Sequence, residues 1–195
     1  MKQSKLKIAV TGGIGSGKSA VMRILAEEGY RTFSADAIAR TIYADAALRQ
    51  KVAEQFPGCL DARGEVDRRA LAAIVFGDKE KIAALNALTH PYIMQKLFAE
   101  MDACEAPAFA EVPLLFESGT VQLFDRVIVV MRDLPARIRA VCERDGIGER
   151  EVLLRVQSQF DYENNSLNGH TVVYNNGTPE QLRSRVVQVV HEILC

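Results

Sequence analysis

One stretch near the start of the chain constrains its fold and chemistry more than any other: Thr11-Gly12-Gly13-Ile14-Gly15-Ser16-Gly17-Lys18-Ser19. Gly12, four further residues and then Gly17-Lys18-Ser19 form the phosphate-binding loop signature. An apolar run at residues 8–10 precedes the glycines, and a helical pattern follows them. Glycine backbones can curve around a phosphate, and a helix N-terminus presents unpaired N–H groups to it. The sequence therefore predicts a phosphate site between a strand and a helix.

Lys18 and Ser19 have separate expected roles in this loop. Lys18 is expected to reach the β- and γ-phosphates of a nucleotide, and the Ser19 hydroxyl to bind Mg²⁺. One alternative is a glycine-rich turn that only links a strand to a helix, but such a turn needs no lysine–hydroxyl pair after its last glycine. A dinucleotide-binding fingerprint is disfavoured because the glycine spacing is wrong for it.

Five short β-prone runs separated by helical patterns predict an α/β fold with a doubly wound parallel sheet. The runs cover residues 8–10, 30–33, 108–112, 126–131 and 171–174. Four helical patterns lie between the second and third runs, at residues 46–56, 67–76, 79–88 and 91–104. A simple crossover needs less helix than this. We therefore expect a single domain over residues 1–195, with a helical insertion on the sheet at about 37–105.

Two residues in this region have more than one interpretation. Asp36 follows the second run, where the carboxyl ends of parallel strands gather ligands, but it can equally cap a helix over residues 37–43. His90 precedes Pro91, so a helix is expected to break there. From spacing alone, a cap or a packed imidazole is the favoured interpretation of His90.

Composition excludes several classes of protein. A net charge of −1 gives no electrostatic argument for a nucleic-acid or membrane partner. The four cysteines lack paired spacing, which is typical of a reducing cytoplasm and not of a zinc site or disulfide framework. The polar start, residues 1–7, does not resemble a signal peptide, and no segment approaches membrane-spanning length. We expect a cytoplasmic protein without an obligate protein partner.

Several motifs, in order along nearly the whole chain, resemble the dephospho-coenzyme A kinase family. They are the phosphate-binding loop with Thr11, Asp36-Ala37-Ile38-Ala39-Arg40, His90-Pro91-Tyr92-Ile93, Val112-Pro113-Leu114-Leu115-Phe116-Glu117, Arg144-Asp145 with Arg155 and Gln159, and Asn175-Asn176-Gly177. The resemblance implies a P-loop kinase-type sheet, an acceptor-binding insertion and a small helical lid at about 145–169. It also implies phosphoryl transfer from Mg-ATP to the ribose 3′-hydroxyl of dephospho-coenzyme A, the last step of coenzyme A synthesis.

The resemblance assigns roles residue by residue. Asp36 would accept the proton of the attacking hydroxyl, assisted by Lys18 and Arg144, and Ser19 would bind Mg²⁺. The residues expected to bind ATP are Gly12, Gly13, Ile14, Gly15, Ser16, Gly17, Lys18, Ser19, Ala20, Arg144 and Asn175. Those expected to bind the acceptor are Thr11, Asp36, Arg40, His90, Pro113, Leu114 and Glu117, and those of the lid are Arg155 and Gln159. For Glu117, helix support remains an alternative to acceptor binding.

The chain departs from the family pattern at several positions. Ser34 replaces an aspartate, and Ala140 replaces an arginine of the lid helix, where Arg137 or Arg139 can serve instead. Asp161-Tyr162-Glu163-Asn164 replaces basic residues. The alternative functions are another small P-loop kinase, acting on a nucleoside, a nucleotide or a small acid, and a P-loop ATPase switch. The second is disfavoured because no Asn-Lys-x-Asp element is present.

Overall fold

The computed structural model describes residues 5–195, so the polar start of the chain lies mostly outside the described residues. The chain divides into two compact units. The sheet unit comprises the chain up to Ser34 together with Met101–Cys195, and the helical unit comprises Ala35–Glu100. Within the described residues, no helix is long and apolar enough to cross a membrane.

The sheet unit is built on parallel strands. Within residues 5–195 they form one five-stranded sheet in the order β2-β3-β1-β4-β5. The strands are β1 (Lys7–Thr11), β2 (Arg31–Ser34), β3 (Ala108–Glu111), β4 (Arg126–Met131) and β5 (Thr171–Tyr174). All neighbours in the sheet are parallel. The predicted fold class and its strands are therefore confirmed.

Helices connect the strands. They are α1 (Lys18–Glu27), α2 (Ala35–Ala39), α3 (Ala46–Gln55), α4 (Arg68–Val75), α5 (Lys79–Asp102), α6 (Leu134–Asp145), α7 (Glu149–Gln157) and α8 (Pro179–Leu194), with short 3₁₀ turns at Ile42–Ala44 and Val121–Leu123. A capping box begins α8, since the Thr178 hydroxyl accepts from the Gln181 N–H and the Gln181 side chain accepts from the Thr178 N–H.

The core of the sheet unit lies where α1 and α8 pack against the central strands. Ile8 and Val10 of β1 and Ile128 and Val130 of β4 are buried there, together with apolar residues of both helices. Residues 127–130 are all buried, as expected for a parallel strand covered on both faces. Each fully buried aliphatic side chain of this kind contributes about 1.5–3 kcal/mol. This packing holds the carboxyl end of β1, where the phosphate-binding loop starts.

The structure corrects two expectations in the helical unit. The break at His90-Pro91 is wrong, because α5 runs through Pro91 without interruption. Proline removes one backbone donor, but burial of Leu97 and Met101 further along α5 supports the continuous helix. The helix expected at residues 37–43 is also displaced. Helix α2 begins before Asp36 and ends at Ala39, so Asp36 lies in its first turn and is not its cap.

Replacing Pro91 tests how much strain this helix carries. Pro91→Ala restores a backbone donor and removes the clash of the ring with the preceding turn, so the free energy of unfolding should rise by about 1–3 kcal/mol. Urea unfolding of both proteins measures the change. Gln95→Ala, at another exposed position of α5, is the control and should stay within about 0.5 kcal/mol of the parent. A destabilised Pro91→Ala variant would show that the proline is favourable in this helix.

Candidate active site

Glycines of the phosphate-binding loop adopt backbone conformations that side chains disfavour. Gly12, Gly15 and Gly17 have φ angles of 144°, 77° and 98°, which glycine adopts without steric cost. Their surroundings add a second constraint. A Cβ on Gly12 would overlap the carbonyl oxygen of Val130, and one on Gly17 would overlap the Asn175 amide. The loop therefore lies against the end of β4 and the turn after β5, and α1 begins directly after it.

Arg137 of α6 holds the loop from outside. Its Nε donates to the Ile14 carbonyl oxygen at 2.9 Å, and its guanidinium lies where a Cβ on Gly13 would overlap it. Arg137 is buried with 5% exposure, whereas Arg139 on the same helix is exposed. In a trans peptide the C=O and the following N–H point in opposite directions, and the described chain has no cis peptide. The Gly15 N–H therefore points away from Arg137.

Asn175 holds the next part of the loop in the same way. Its Nδ2 donates to the Ser16 carbonyl oxygen at 2.9 Å, so the Gly17 N–H points away from Asn175. The Ser16 Oγ is buried and has no hydrogen-bond partner among the described residues. A buried polar atom of this kind is usually satisfied by a ligand or a water. Two side chains from different elements thus bind loop carbonyls and leave loop N–H groups directed elsewhere.

Lys18 is bound to the loop itself. Its Nζ donates to the carbonyl oxygens of Gly12 and Gly13 at 2.7 Å and 3.1 Å. Ala20 follows in the first turn of α1. The Lys18 ammonium group therefore lies against the loop backbone. It adds a full positive charge beside the partial positive charge of the α1 N-terminus.

Ser19 lies beside a carboxylate that the sequence analysis did not select. The Ser19 Oγ is 3.5 Å from an Oε atom of Glu111, the last residue of β3. Glu111 pairs in register with Val10 of β1, so sheet order brings the two strand ends together. The sequence indicated only that Glu111 lies near the end of the predicted strand at residues 108–112. Without the strand order, Ser19 could not be identified as its neighbour. A hydroxyl and a carboxylate are donors of the type that Mg²⁺ prefers.

A segment after α7 lies on the phosphate-binding loop, and we call residues 159–163 the strap. The Gln159 side chain accepts a hydrogen bond from the Ile14 N–H at 2.7 Å. The Tyr162 hydroxyl lies 3.2 Å from the Thr11 Oγ1, and both residues are buried. Burial raises the pKa of Tyr162, and the hydrogen bond with Thr11 opposes that shift. Gln159 was predicted as a lid residue, and the structure places it on a loop amide.

The loop after β3 also contacts the strap. The Glu117 carboxylate accepts from the Phe160 N–H at 2.7 Å, and the Phe116 ring stacks on the Phe160 ring at a centroid distance of 4.4 Å. Pro113 and Leu114 precede these residues in the same loop, and the Leu114 side chain is exposed. The structure therefore gives Glu117 a supporting contact, to a strap and not to a helix.

Arg144 and Arg155 lie at the end of α6 and on α7. The Arg144 guanidinium is bidentate to Asp145, with Nε at 2.7 Å and Nη2 at 3.0 Å from its oxygens. Arg155 contacts Asp145 at 3.3 Å and Glu151 at 2.8 Å. The hydrogen bonds from Arg144 hold the pKa of Asp145 below its ordinary value. Both arginines are exposed, and in this structure both pair with carboxylates.

The remaining predicted site residues belong to the helical unit. Asp36 lies in the first turn of α2, and Arg40 directly follows that helix, with its N–H bonded to the Asp36 carbonyl oxygen at 3.2 Å. His90 lies within α5, where partial burial lowers the pKa of its imidazole. Among residues 5–195, no group of three or more histidine, cysteine, aspartate or glutamate side chains is placed to hold a metal ion by itself.

Comparison with known proteins identifies the family. A family model described as dephospho-CoA kinase matches residues 6–181. The chain belongs to the dephospho-CoA kinase family. It is similar to a dephospho-CoA kinase of Geobacillus kaustophilus, with 37% identity over 193 residues and 96% of each chain covered. The family resemblance inferred from the motifs is confirmed.

Solved structures agree with this dephospho-CoA kinase membership. TT1252 from Thermus thermophilus matches with a TM-score of 0.84 and 35% identity, over 97% of this chain and 98% of that chain. The dephospho-CoA kinase from Campylobacter jejuni matches with a TM-score of 0.71 and 29% identity, over 96% of each chain. The fold of this family member therefore matches both solved structures along nearly its whole length.

The contact between Glu117 and the strap generates a prediction. Glu117→Ala removes a charged acceptor, and such hydrogen bonds contribute about 1.5–3 kcal/mol, so amide exchange at Phe160 should accelerate about tenfold or more. Glu117→Gln keeps an acceptor oxygen and should change exchange less. Glu143→Ala, an exposed carboxylate of α6, is the control. Native hydrogen exchange followed by mass spectrometry measures all three, and unchanged protection at Phe160 in Glu117→Ala would refute the supporting role.

Proposed function

We propose that this chain transfers the γ-phosphoryl group of ATP to the ribose 3′-hydroxyl of dephospho-coenzyme A, giving coenzyme A in the last step of its biosynthesis. The observation that carries the proposal is the phosphate-binding loop, set at the end of β1 in a chain that belongs to the dephospho-CoA kinase family. The reaction would take place in the cytoplasm, with ATP and dephospho-coenzyme A as its only required partners.

The loop supplies most of the binding groups for the triphosphate. Phosphoryl transfer depends on positioning the reacting groups and on neutralising the charge of the phosphates. The protein needs to supply little covalent chemistry. Lys18 would exchange its loop carbonyls for phosphate oxygens, which a flexible ammonium group can do without movement of the backbone. The N-terminus of α1 adds N–H donors and a favourable dipole. Loop residues 12–17, with Lys18, Ser19, Ala20 and Asn175, would form the ATP site.

The oxygen donors beside this loop, on Ser19 and Glu111, are of the kind that bind Mg²⁺. Ser19 would hold it, with Glu111 as a second oxygen donor, bound directly or through water. When bound, the ion supplies charge neutralisation at the phosphates. A site with few protein ligands is what Mg²⁺ chemistry favours, since the ion keeps several waters and shares phosphate oxygens.

Asp36 would be the general base. It follows β2 in the chain, and Ser34 at the end of β2 pairs in register with Glu111 of β3. A carboxylate close behind a strand end can orient a hydroxyl and accept its proton. Arg40, His90 and the insertion at about 37–105 would bind the acceptor, together with Thr11, Pro113, Leu114 and Glu117. Arg155 and Gln159 would belong to the lid at about 145–169, and Arg144, directly before it, would stabilise the transferred group.

A product assay tests the proposed function. The protein is incubated with Mg-ATP and dephospho-coenzyme A, and coenzyme A is identified by mass and by its 3′-phosphate. Adenosine, shikimate and gluconate are the competing acceptors, and Lys18→Ala is the inactive control. Selective formation of coenzyme A supports the proposal. Faster transfer to another acceptor would favour a different small-molecule kinase, and ATP hydrolysis without any acceptor dependence would favour an ATPase switch.

Asp36→Asn separates catalysis from structure. The amide keeps the shape and loses the proton acceptor, so turnover should fall by about two to four orders of magnitude. ATP affinity and melting temperature should change little, because the loop is untouched. Asp45→Asn is the matched control, since Asp45 caps α3 through the Leu48 N–H and asparagine caps equally well. Near-parental transfer by Asp36→Asn would remove Asp36 from the mechanism.

A further inference from the structure

Arg137 is a buried cation whose partners within the protein only partly neutralise it. Its side chain is 6% exposed, and the nearest carboxylate, Glu163, has an Oε atom 3.7 Å from Nη1 and a side chain that is 54% exposed. That distance exceeds the range of a good charge-assisted hydrogen bond. Burial lowers the pKa of Arg137, and Glu163 opposes the shift. A buried charge is unfavourable unless it is paired, so this arrangement carries a free-energy cost that a bound anion would reduce.

The guanidinium is directed at the phosphate-binding loop. Its Nε donates to the Ile14 carbonyl oxygen, and its other nitrogens lie against the backbone of Gly13. The Ile14–Gly15 peptide is therefore held in one orientation from the side of α6. The same cation places positive charge behind the loop, where Lys18 and the N-terminus of α1 already supply it. An anion bound by the loop would meet all three.

We propose that Arg137 is a positioning residue for the triphosphate of ATP, acting through the phosphate-binding loop. It fixes the Ile14 carbonyl so that the Gly15 N–H remains available to a phosphate, and its charge strengthens the attraction for that phosphate. The proposal rests on the proposed function for the identity of the nucleotide. Arg139, two residues further along the same helix and exposed, has no such role.

Substitutions at Arg137 separate nucleotide binding from acceptor binding. Arg137→Met should weaken binding of a non-hydrolysable ATP analogue, measured by calorimetry without acceptor, by about 10- to 100-fold. The KM for ATP should rise with it, while the KM for dephospho-coenzyme A stays within about twofold of the parent. Arg137→Lys keeps the charge and a donor, so it should recover part of the affinity. Arg139→Met is the matched control and should bind like the parent.

Glu163→Gln distinguishes this role from a merely structural one. If Arg137 served only to anchor the strap, removing its carboxylate partner would weaken nucleotide binding as Arg137→Met does, and the proposal would be overturned. In the proposed role, Glu163→Gln binds the analogue as tightly as the parent or more tightly, because a negative charge no longer offsets part of the Arg137 charge. Melting curves of each variant identify any that fail to fold, and Arg137→Lys and Glu163→Gln then carry the test.

Other outcomes are equally decisive. Parental affinity in a folded Arg137→Met variant, or an equal loss in Arg139→Met, would overturn the role of Arg137. A parallel rise in both KM values would do the same, since it would indicate general damage to the enzyme. Failure of the proposed function looks different. The parent would make no coenzyme A, yet its affinity for the ATP analogue would still depend on Arg137.

Discussion

Hydrogen bonds from side chains outside the phosphate-binding loop fix the orientation of two of its carbonyl groups, and the rest of the site depends on that constraint. Arg137 of α6 binds the Ile14 carbonyl, and Asn175 after β5 binds the Ser16 carbonyl. Each bond fixes a peptide plane and so fixes the next N–H in the opposite direction. A glycine loop alone would sample many conformations, because glycine loses more conformational freedom on folding than any other residue. The sheet brings both partners to the loop, because α6 follows β4 and Asn175 follows the neighbouring strand β5.

The strap extends the same constraint to the loop after β3. Gln159 binds the Ile14 N–H, Tyr162 binds the Thr11 hydroxyl, and Glu117 binds the Phe160 N–H. Two positions at which the chain departs from the family pattern take part: Tyr162 contacts Thr11 just before the loop, and Glu163 contacts the arginine that holds the loop. These two contacts join the strap to the end of β1 and to α6.

The sequence predicted the strands and the loop well, because both follow from local patterns. The β-branched run of β4 and the glycine spacing need no knowledge of distant residues. Asn175 was expected at the site only through the family resemblance. The contacts of Glu111 and Arg137 with the loop could not be predicted, since strand order and helix packing produce them. The prediction of a break in α5 failed for the opposite reason. Proline disfavours a helix in the residues before it, but packing of α5 kept the helix continuous through Pro91.

The direction of the loop amides is the most direct test of this account. A ¹H–¹⁵N spectrum is recorded while a non-hydrolysable ATP analogue with Mg²⁺ is added, and the Gly15 and Gly17 amide protons are followed. The account predicts large downfield shifts for both, because each N–H is turned toward the bound phosphate. Gly29, whose N–H is bonded to Ala26 at the end of α1, should not move. Unshifted Gly15 and Gly17 resonances under saturating nucleotide would contradict the account.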